Sequence, residues 1–482
     1  MKAHARLIEA LAGLRPFARF APLARFARFA RFARFAPVAT LASLAMLATL
    51  AQSARAASDE LEQYVSAPDP SYAWRPVSAG RIGSSEFVEA ILTSQTWRGI
   101  AWKHQLLLIK PSKLEMPHRQ ALLYIDGGSW RPEYEHGLGA SLPDDAALFE
   151  RLAETLHAPV AVLRQVPFEP LFGLREDALL AYTFDQYLKT GEEDWPLLLP
   201  MVKSASRAMD AVQQLTLSHW GIPVERFTVV GASKRGWTAW LLAAVDDRVA
   251  SVAPMVIAML DIPAQIELQR QTFGALSPQV HDYEAIRLPE RLKTPLGRDL
   301  LSIVDPWSYR ARLTMPKLIL LGTNDPYWPA DALRIYWSGL PEEKRVLDLP
   351  NQTHDLTDTD ALIGSLAALY RYSARNERLP ALLWNFERAS GELKLSVRSD
   401  RNPVQVLAWA ASSASRDFHG SHWTSRACDF SNGQYVCAES LASDHYTGLY
   451  AEFFYEDRDE PPFSLSTTVC VATAGASGAP PC

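Results

Sequence analysis

Phe227-Thr-Val-Val-Gly-Ala-Ser-Lys-Arg-Gly-Trp237 constrains this chain more than any other stretch. Phe227 to Val230 suit a buried strand, Gly231 to Gly236 form a turn, and Trp237 to Ala244 read as an apolar helix packed on a sheet. A turn this tight needs residues with little side chain beside its serine. The helix that follows aims its N-terminal amides at whatever the serine meets. The stretch therefore reads as a strand–turn–helix that presents Ser233 as a nucleophile. The plain alternative is an ordinary turn with an incidental serine. The usual pattern at such an elbow is Gly-x-Ser-x-Gly. Here Arg235 holds the second glycine position and Gly236 comes one place later.

The neighbouring pattern supplies the fold. Glu86 to Trp97 and Trp102 to Ile109 alternate as an antiparallel lead-in. Strand-like runs then recur at Ala121–Ile125, Pro159–Val166, Val249–Ile257, Lys317–Leu321 and Arg345–Leu349. Helical runs separate them at Asp144–Leu156, from Arg175 to about Leu188, at Met201–Leu215 and from about Asp358 to Tyr372. Strands alternating with helices imply a mainly parallel sheet covered on both faces, here an α/β-hydrolase domain over 57–378. Asp261 to Asp305 breaks the alternation and reads as an insertion above the sheet. Beyond about Pro380 only short alternating runs remain, so 379–482 is expected to form a small all-β domain, an immunoglobulin-like sandwich.

The first 56 residues stand apart. Arg-Phe-Ala repeats run from Arg25 to Ala36, followed by an apolar stretch from Val38 to Ala51 and then Ala54-Arg55-Ala56. That order of basic, apolar and small residues is a secretory signal peptide with a long basic region, which implies an exported protein, periplasmic or secreted. The segment carries nine basic and one acidic side chain, so the formal −6 of the whole chain becomes −14 without it. So acidic a body argues against nucleic-acid binding, and no stretch in it is apolar enough to span a membrane.

All four cysteines lie near the C-terminus. Asn432-Gly433 is a strong two-residue hairpin turn, and counting outward from it puts Cys428 opposite Cys437 at a non-hydrogen-bonded pair, within disulfide reach. Cys470 and Cys482 would then tie down the tail. Zinc is the alternative, but the paired C-x-x-C unit is missing.

A serine nucleophile needs a base, and the base an orienting carboxylate, in the chain order Ser, Asp, His. Asp325 follows the strand Lys317–Leu321, and His354 follows Arg345–Leu349. Both thus fall at C-terminal strand ends, where open α/β sheets place their sites. Oxyanion donors would be the amides of Lys234 and Gly128, the latter in Asp126-Gly127-Gly128-Ser129, which could equally be a simple turn. Arg235 could hold an anionic substrate or pair with a nearby acid. Glu176 and Asp177 could stabilise a helix N-terminus or capture a substrate ammonium. Trp130, Trp237, Trp307, Tyr327 and Trp328 crowd the same loops as candidate cleft walls. No cofactor motif, phosphate loop or metal-binding cluster is present in the sequence.

Five segments together resemble the PhoPQ-activated pathogenicity-related protein family: Arg175-Glu-Asp-Ala-Leu-Leu-Ala-Tyr-Thr183, Pro200-Met-Val-Lys203 with Arg207-Ala-Met-Asp210, Gly231 to Trp237, Gly322-Thr-Asn-Asp-Pro-Tyr-Trp328, and Asp417-Phe418. The family's elbow carries the same arginine. The resemblance implies an exported hydrolase-like domain with a β-rich C-terminal region, akin to serine peptidases of the dipeptidyl-peptidase type. It maps the family's Ser, Asp and His onto Ser233, Asp325 and His354. The expectation is a serine hydrolase acting on peptide or amide bonds, aminopeptidase-like. The alternatives are a carboxylic ester hydrolase and a secreted binding or signalling protein whose β-domain meets a protein partner.

Overall fold

The computed structural model describes residues 60–115, 119–137, 145–457, 460–474 and 482; the expected signal peptide lies outside them. Nine strands carry the first part of the chain: β1 (Ala73–Ile82), β2 (Ser85–Trp97), β3 (Ile100–Lys110), β4 (Gln120–Ile125), β5 (Val160–Leu163), β6 (Arg226–Ala232), β7 (Val249–Met255), β8 (Lys317–Gly322) and β9 (Lys344–Leu349). Their order across the sheet is β1-β2-β3-β5-β4-β6-β7-β8-β9. Pairing is antiparallel as far as β5 and parallel from β5 to β9. Counted from β2, this is the 1-2-4-3-5-6-7-8 order of an α/β-hydrolase.

The strands form where the apolar pattern predicts. β4 to β8 are buried along almost their whole length, as parallel strands covered on both faces must be. The β2–β3 hairpin turns at Arg98 and Gly99, both with positive φ, the two-residue geometry that matches strand twist. β1 has no counterpart among the strands expected from the apolar pattern. Most of its residues are exposed or half-exposed, so it is an edge strand without an apolar face to read.

Helices α1 (Ala146–Leu156), α2 (Glu176–Thr190), α3 (Leu198–Trp220), α4 (Lys234–Val245) and α7 (Thr359–Ala374) fall where helical spacing places them. Helix α4 is apolar nearly all round and buried nearly all round, with only Val245 outside the core. The irregular stretch from Asp261 to Asp305 folds into α5 (Ile262–Phe273), short helical turns, and α6 (Pro295–Val304). Asp305 fastens its two ends: the buried carboxylate accepts from the amides of Ile262 (2.8 Å), Asp261 (3.3 Å) and Trp307 (2.9 Å).

The C-terminal strands are β10 (Leu382–Ala389), β11 (Glu392–Ser399), β12 (Gln405–Ser413), β13 (Thr424–Ala427), β14 (Asp429–Ser431), β15 (Gln434–Ser440), β16 (Tyr446–Tyr455), β17 (Phe463–Ser466) and β18 (Cys470–Ala472). They make two antiparallel layers. One is β10-β11-β15-β14; the other contains β17, β16, β12 and β13, with β18 on β16. Leu393, Leu395 and Val397 of the first layer share a core with Val406, Leu449 and Phe453 of the second. The second layer also continues the main sheet, because β17 pairs with β9 at Ser466 and Val346. The same core takes in Leu318 and Leu347 of the parallel strands and Leu366 of α7.

Both expected disulfides are present: Cys428–Cys437 with Cα atoms 4.8 Å apart, and Cys470–Cys482 at 5.1 Å. The β14–β15 register pairs Ser431 with Gln434, Phe430 with Tyr435 and Asp429 with Val436, which leads directly to the Cys428–Cys437 bond. No helix among the described residues is long and apolar enough to cross a membrane. Replacing both Cys428 and Cys437 by serine reopens a short loop and should lower stability by about 2–3 kcal/mol on the loop-entropy estimate. Urea denaturation of the variant, with the oxidised and reduced parent as references, measures it.

Candidate active site

Ser233 stands at the vertex between β6 and α4 with φ 55° and ψ −125°, a strained conformation for a side-chain-bearing residue and the one that lifts a hydroxyl clear of a strand end. Its amide donates to the Met255 carbonyl (2.8 Å), and its carbonyl accepts from Trp237 (2.9 Å). The two glycines exist for the crossing. A Cβ on Gly231 would collide with the carbonyl of Arg235, and one on Gly236 would lie 2.8 Å from both the Gly231 oxygen and Ile257. The close approach thus falls on 236 rather than 235, which leaves 235 free to carry arginine.

That arginine turns away from solvent. Arg235 forms a two-pronged ion pair with Glu176 (2.9 and 2.8 Å) and donates from Nε to the Val166 carbonyl at 2.5 Å. Lys234 Nζ contacts Asp177 at 2.8 Å and Glu176 at 3.0 Å, and the Tyr283 hydroxyl donates to the other oxygen of Asp177 at 2.8 Å. Burial by itself would raise the Glu176 carboxyl. Hydrogen bonds and charge from Arg235, with Lys234 adding, outweigh it and hold the group at about 2. Glu169 accepts the Glu176 amide at 2.9 Å and completes the cluster. Of the alternatives open for these residues, the structure realises ion pairing: Arg235 is buried against an acid, and both carboxylates meet cations of the chain itself.

Asp325 and His354 meet as the strand ends predict. His354 Nδ1 and Asp325 Oδ2 are 2.8 Å apart, and Asp325 Oδ1 accepts the Tyr327 amide at 2.9 Å. The Tyr327 ring stacks on the imidazole with centroids 4.1 Å apart. The far nitrogen, His354 Nε2, is buried and has no hydrogen-bond partner among the described residues. Close packing brings the two loops together. A Cβ on Gly322 would strike the carbonyl oxygens of Gln352 and Thr353, directly before the histidine. The Asn324 amide donates to the Gln352 carbonyl (3.0 Å), and the Asn351 amide to Thr323 Oγ1 (2.9 Å).

Two asparagines then bind these loops to the C-terminal region. Asn324 Nδ2 donates to the carbonyls of His419 (3.0 Å) and Ser421 (2.7 Å). Asn351 exchanges two hydrogen bonds with the Trp423 backbone (2.8 and 2.9 Å). Neither asparagine was singled out from the sequence. Their partners lie some 70 to 100 residues away, and only Asp417-Phe418 had pointed there.

Ser233, Lys234, Asp177, Trp237, Tyr327, Trp328 and His354 line one cavity of about 100 Å³, roofed by α5, the turns after it, and α6. Gln269 satisfies its amide on backbone groups of Tyr327 and Ser277. Gln265 Nε2 donates to the Ala332 carbonyl, while its Oε1 has no partner among the described residues. Two expected wall residues lie elsewhere: Trp130 packs on Tyr134 and Phe168 (5.8 and 5.9 Å), and Trp307 lies beneath Arg310. Arg235, paired with Glu176, sits behind the elbow and outside the lining. Gly128, with φ 99°, is outside the lining too. Among the described residues no group of three or more His, Cys, Asp or Glu is arranged to hold a metal ion.

Strand order, elbow and loop placement define an α/β-hydrolase fold with a serine at its nucleophile-elbow position. The chain belongs to the PhoPQ-activated pathogenicity-related protein family, whose model matches residues 61–419. It is 31% identical over 390 residues to autocrine proliferation repressor protein A of Dictyostelium discoideum, covering 75% of this chain and 76% of that one. Among solved structures it is similar to acetyl xylan esterase 1 from Thermoanaerobacterium sp. JW/SL YS485, with a TM-score of 0.41 and 16% identity over 66% of this chain and 93% of that one. A glucuronoyl esterase from Solibacter usitatus gives 0.39 and 13%, over 65% and 91%.

The folded Glu176 carboxyl, at about 2, lies below the ordinary value of 4.5. Its contribution to stability is therefore complete above about pH 4.5 and is lost as pH falls towards 2. The Glu176 side chain is 42% exposed, so solvent screening weakens its ion pairs. Glu176→Gln should therefore lower stability at pH 7 by about 1 kcal/mol and flatten the dependence across that acid window. Urea midpoints collected from pH 2 to 7 test both effects.

Proposed function

We propose that this protein is a serine hydrolase of acyl bonds. The observation that carries the reading is the 2.8 Å contact between Asp325 and His354, a histidine that lines the same cavity as Ser233 and whose Nε2 has no hydrogen-bond partner among the described residues. In this reading Ser233 Oγ attacks the scissile carbonyl while His354 Nε2 takes its proton. Asp325 holds the imidazole so that Nδ1 keeps its hydrogen. The amide of Lys234, at the start of α4, faces the oxyanion, and Gly128 is the second candidate donor. His354 returns the proton to the departing group, and water then releases the acyl chain by the same steps in reverse.

Among acyl bonds, the geometry favours carboxylic esters over the peptide or amide bonds of an aminopeptidase. An ammonium anchor needs a carboxylate with charge to spare, and Glu176 and Asp177 are each matched by Arg235 or Lys234. A second reading, a binding or signalling protein on this scaffold, draws on the name of the Dictyostelium relative, a proliferation repressor. Two disulfides fit an oxidising compartment, and with the sequence of residues 1–56 they support export.

A fluorophosphonate probe should label Ser233 in the folded protein and fail with Ser233→Ala and His354→Ala. Either substitution should lower kcat on a p-nitrophenyl ester by about a thousandfold or more. A folded protein that is not labelled would overturn the hydrolase reading and favour the second one. Faster cleavage of free-amine peptides than of esters, lost when Glu176 and Asp177 are both neutralised, would restore the aminopeptidase reading.

A further inference from the structure

The cavity beside Ser233 is specific in shape and charge. Its floor comes from the elbow helix and the loop after β7, through Trp237, Ile257 and Met259. Its roof is the 261–305 segment, through Ile266, Leu288 and Leu300. Only two lining residues carry a fixed charge, Asp177 and Lys234, and they neutralise each other at 2.8 Å while Tyr283 occupies the remaining oxygen of Asp177. An ionic group entering here would find no counter-charge and would lose its hydration. An apolar group would exchange water for aliphatic and aromatic walls.

Resting on the reading of Ser233 as the acyl acceptor, we propose that this cavity is an acyl pocket, and that the preferred substrates are esters of uncharged short-chain aliphatic acids. Size sets the chain length. An apolar cavity of roughly 150 Å³ accepts benzene, so one of about 100 Å³ accepts an aliphatic group of about four carbons. The pocket's members on α4 place it beside the carbonyl carbon that bonds to Ser233 Oγ. The ester C–O bond breaks as that bond forms, and the alcohol leaves with the serine's proton by way of His354. The acyl chain stays in the pocket until water adds to the carbonyl, supplies a proton back to Ser233 and releases the carboxylic acid.

The test uses the full folded chain and compares kcat/KM for p-nitrophenyl acetate, butyrate and octanoate. A second arm keeps the acetyl group and lengthens the alcohol. Each buried methylene is worth about fourfold, so butyrate should exceed acetate by about 15-fold, with octanoate falling below butyrate. Ile266 is half-buried in the roof, so substitution there disturbs the core least. Ile266→Trp, which fills the space, should bring the butyrate-to-acetate ratio to within about twofold, and Ile266→Ala should move the optimum to longer acyl chains. If Ile266→Trp does not fold, Ile266→Ala decides. A flat acyl series in a protein whose Ser233 is labelled would overturn the pocket alone. So would selectivity that follows the alcohol, or ratios unchanged in both Ile266 variants. Absence of labelling would overturn the reading beneath it and the pocket with it.

Discussion

Gly231 and Gly236 allow the backbone of β6, the end of β7 and the first turn of α4 to come closer than any side chain would permit, and Ser233 is bent to φ 55° at the point of contact. The strain is tolerable because the helix below it is packed on nearly every side, so the vertex cannot relax without opening the core. Everything at the site is referred to this crossing. It fixes the backbone of Ser233 and of Lys234, the first residue of α4. It also sends the side chains of Lys234 and Arg235 sideways into the α2 terminus. An elbow with glycine at 235 would lack the second of those anchors.

Around the crossing, charge and hydrogen bonds do what apolar packing cannot do for loops. Lys234 and Arg235 pair with Glu176 and Asp177, and Glu169 holds the Glu176 amide, in a cluster partly shielded from water that docks the start of α2 on the elbow. On the other side Asn324 and Asn351 tie the loops bearing Asp325 and His354 to the Phe418–Trp423 backbone. The C-terminal strands are therefore more than an appendage. They extend the main sheet through β17 and hold the loops on which the Asp–His pair depends.

Much of this was legible in the sequence for stated reasons. Parallel strands buried on both faces announce themselves as apolar runs, and the loops after them inherit their positions, so Asp325 and His354 could be placed together from chain order alone. The Cys428–Cys437 bond followed from the turn at Asn432-Gly433 because register is local. The aromatic wall was less legible. Trp130 follows β4 and Trp307 lies in a turn before β8, whereas Tyr327 and Trp328 follow β8; both tryptophans point into other contacts, and position in a loop carries no direction. Edge strand β1 was invisible because it buries little.

The α/β alternation, the elbow serine, the order of Ser233, Asp325 and His354, and the short-range disulfide were readable without coordinates, since each depends on residues near one another or on strand order. What the ambiguous charges do and what the irregular insertion builds emerge only from packing in three dimensions. Whether Glu176 faces a ligand or Arg235 depends on where a helix 59 residues away begins. Likewise, residues 261–305 show no period because their apolar side chains converge from several short helices onto a cavity, and convergence is a property of space rather than of spacing.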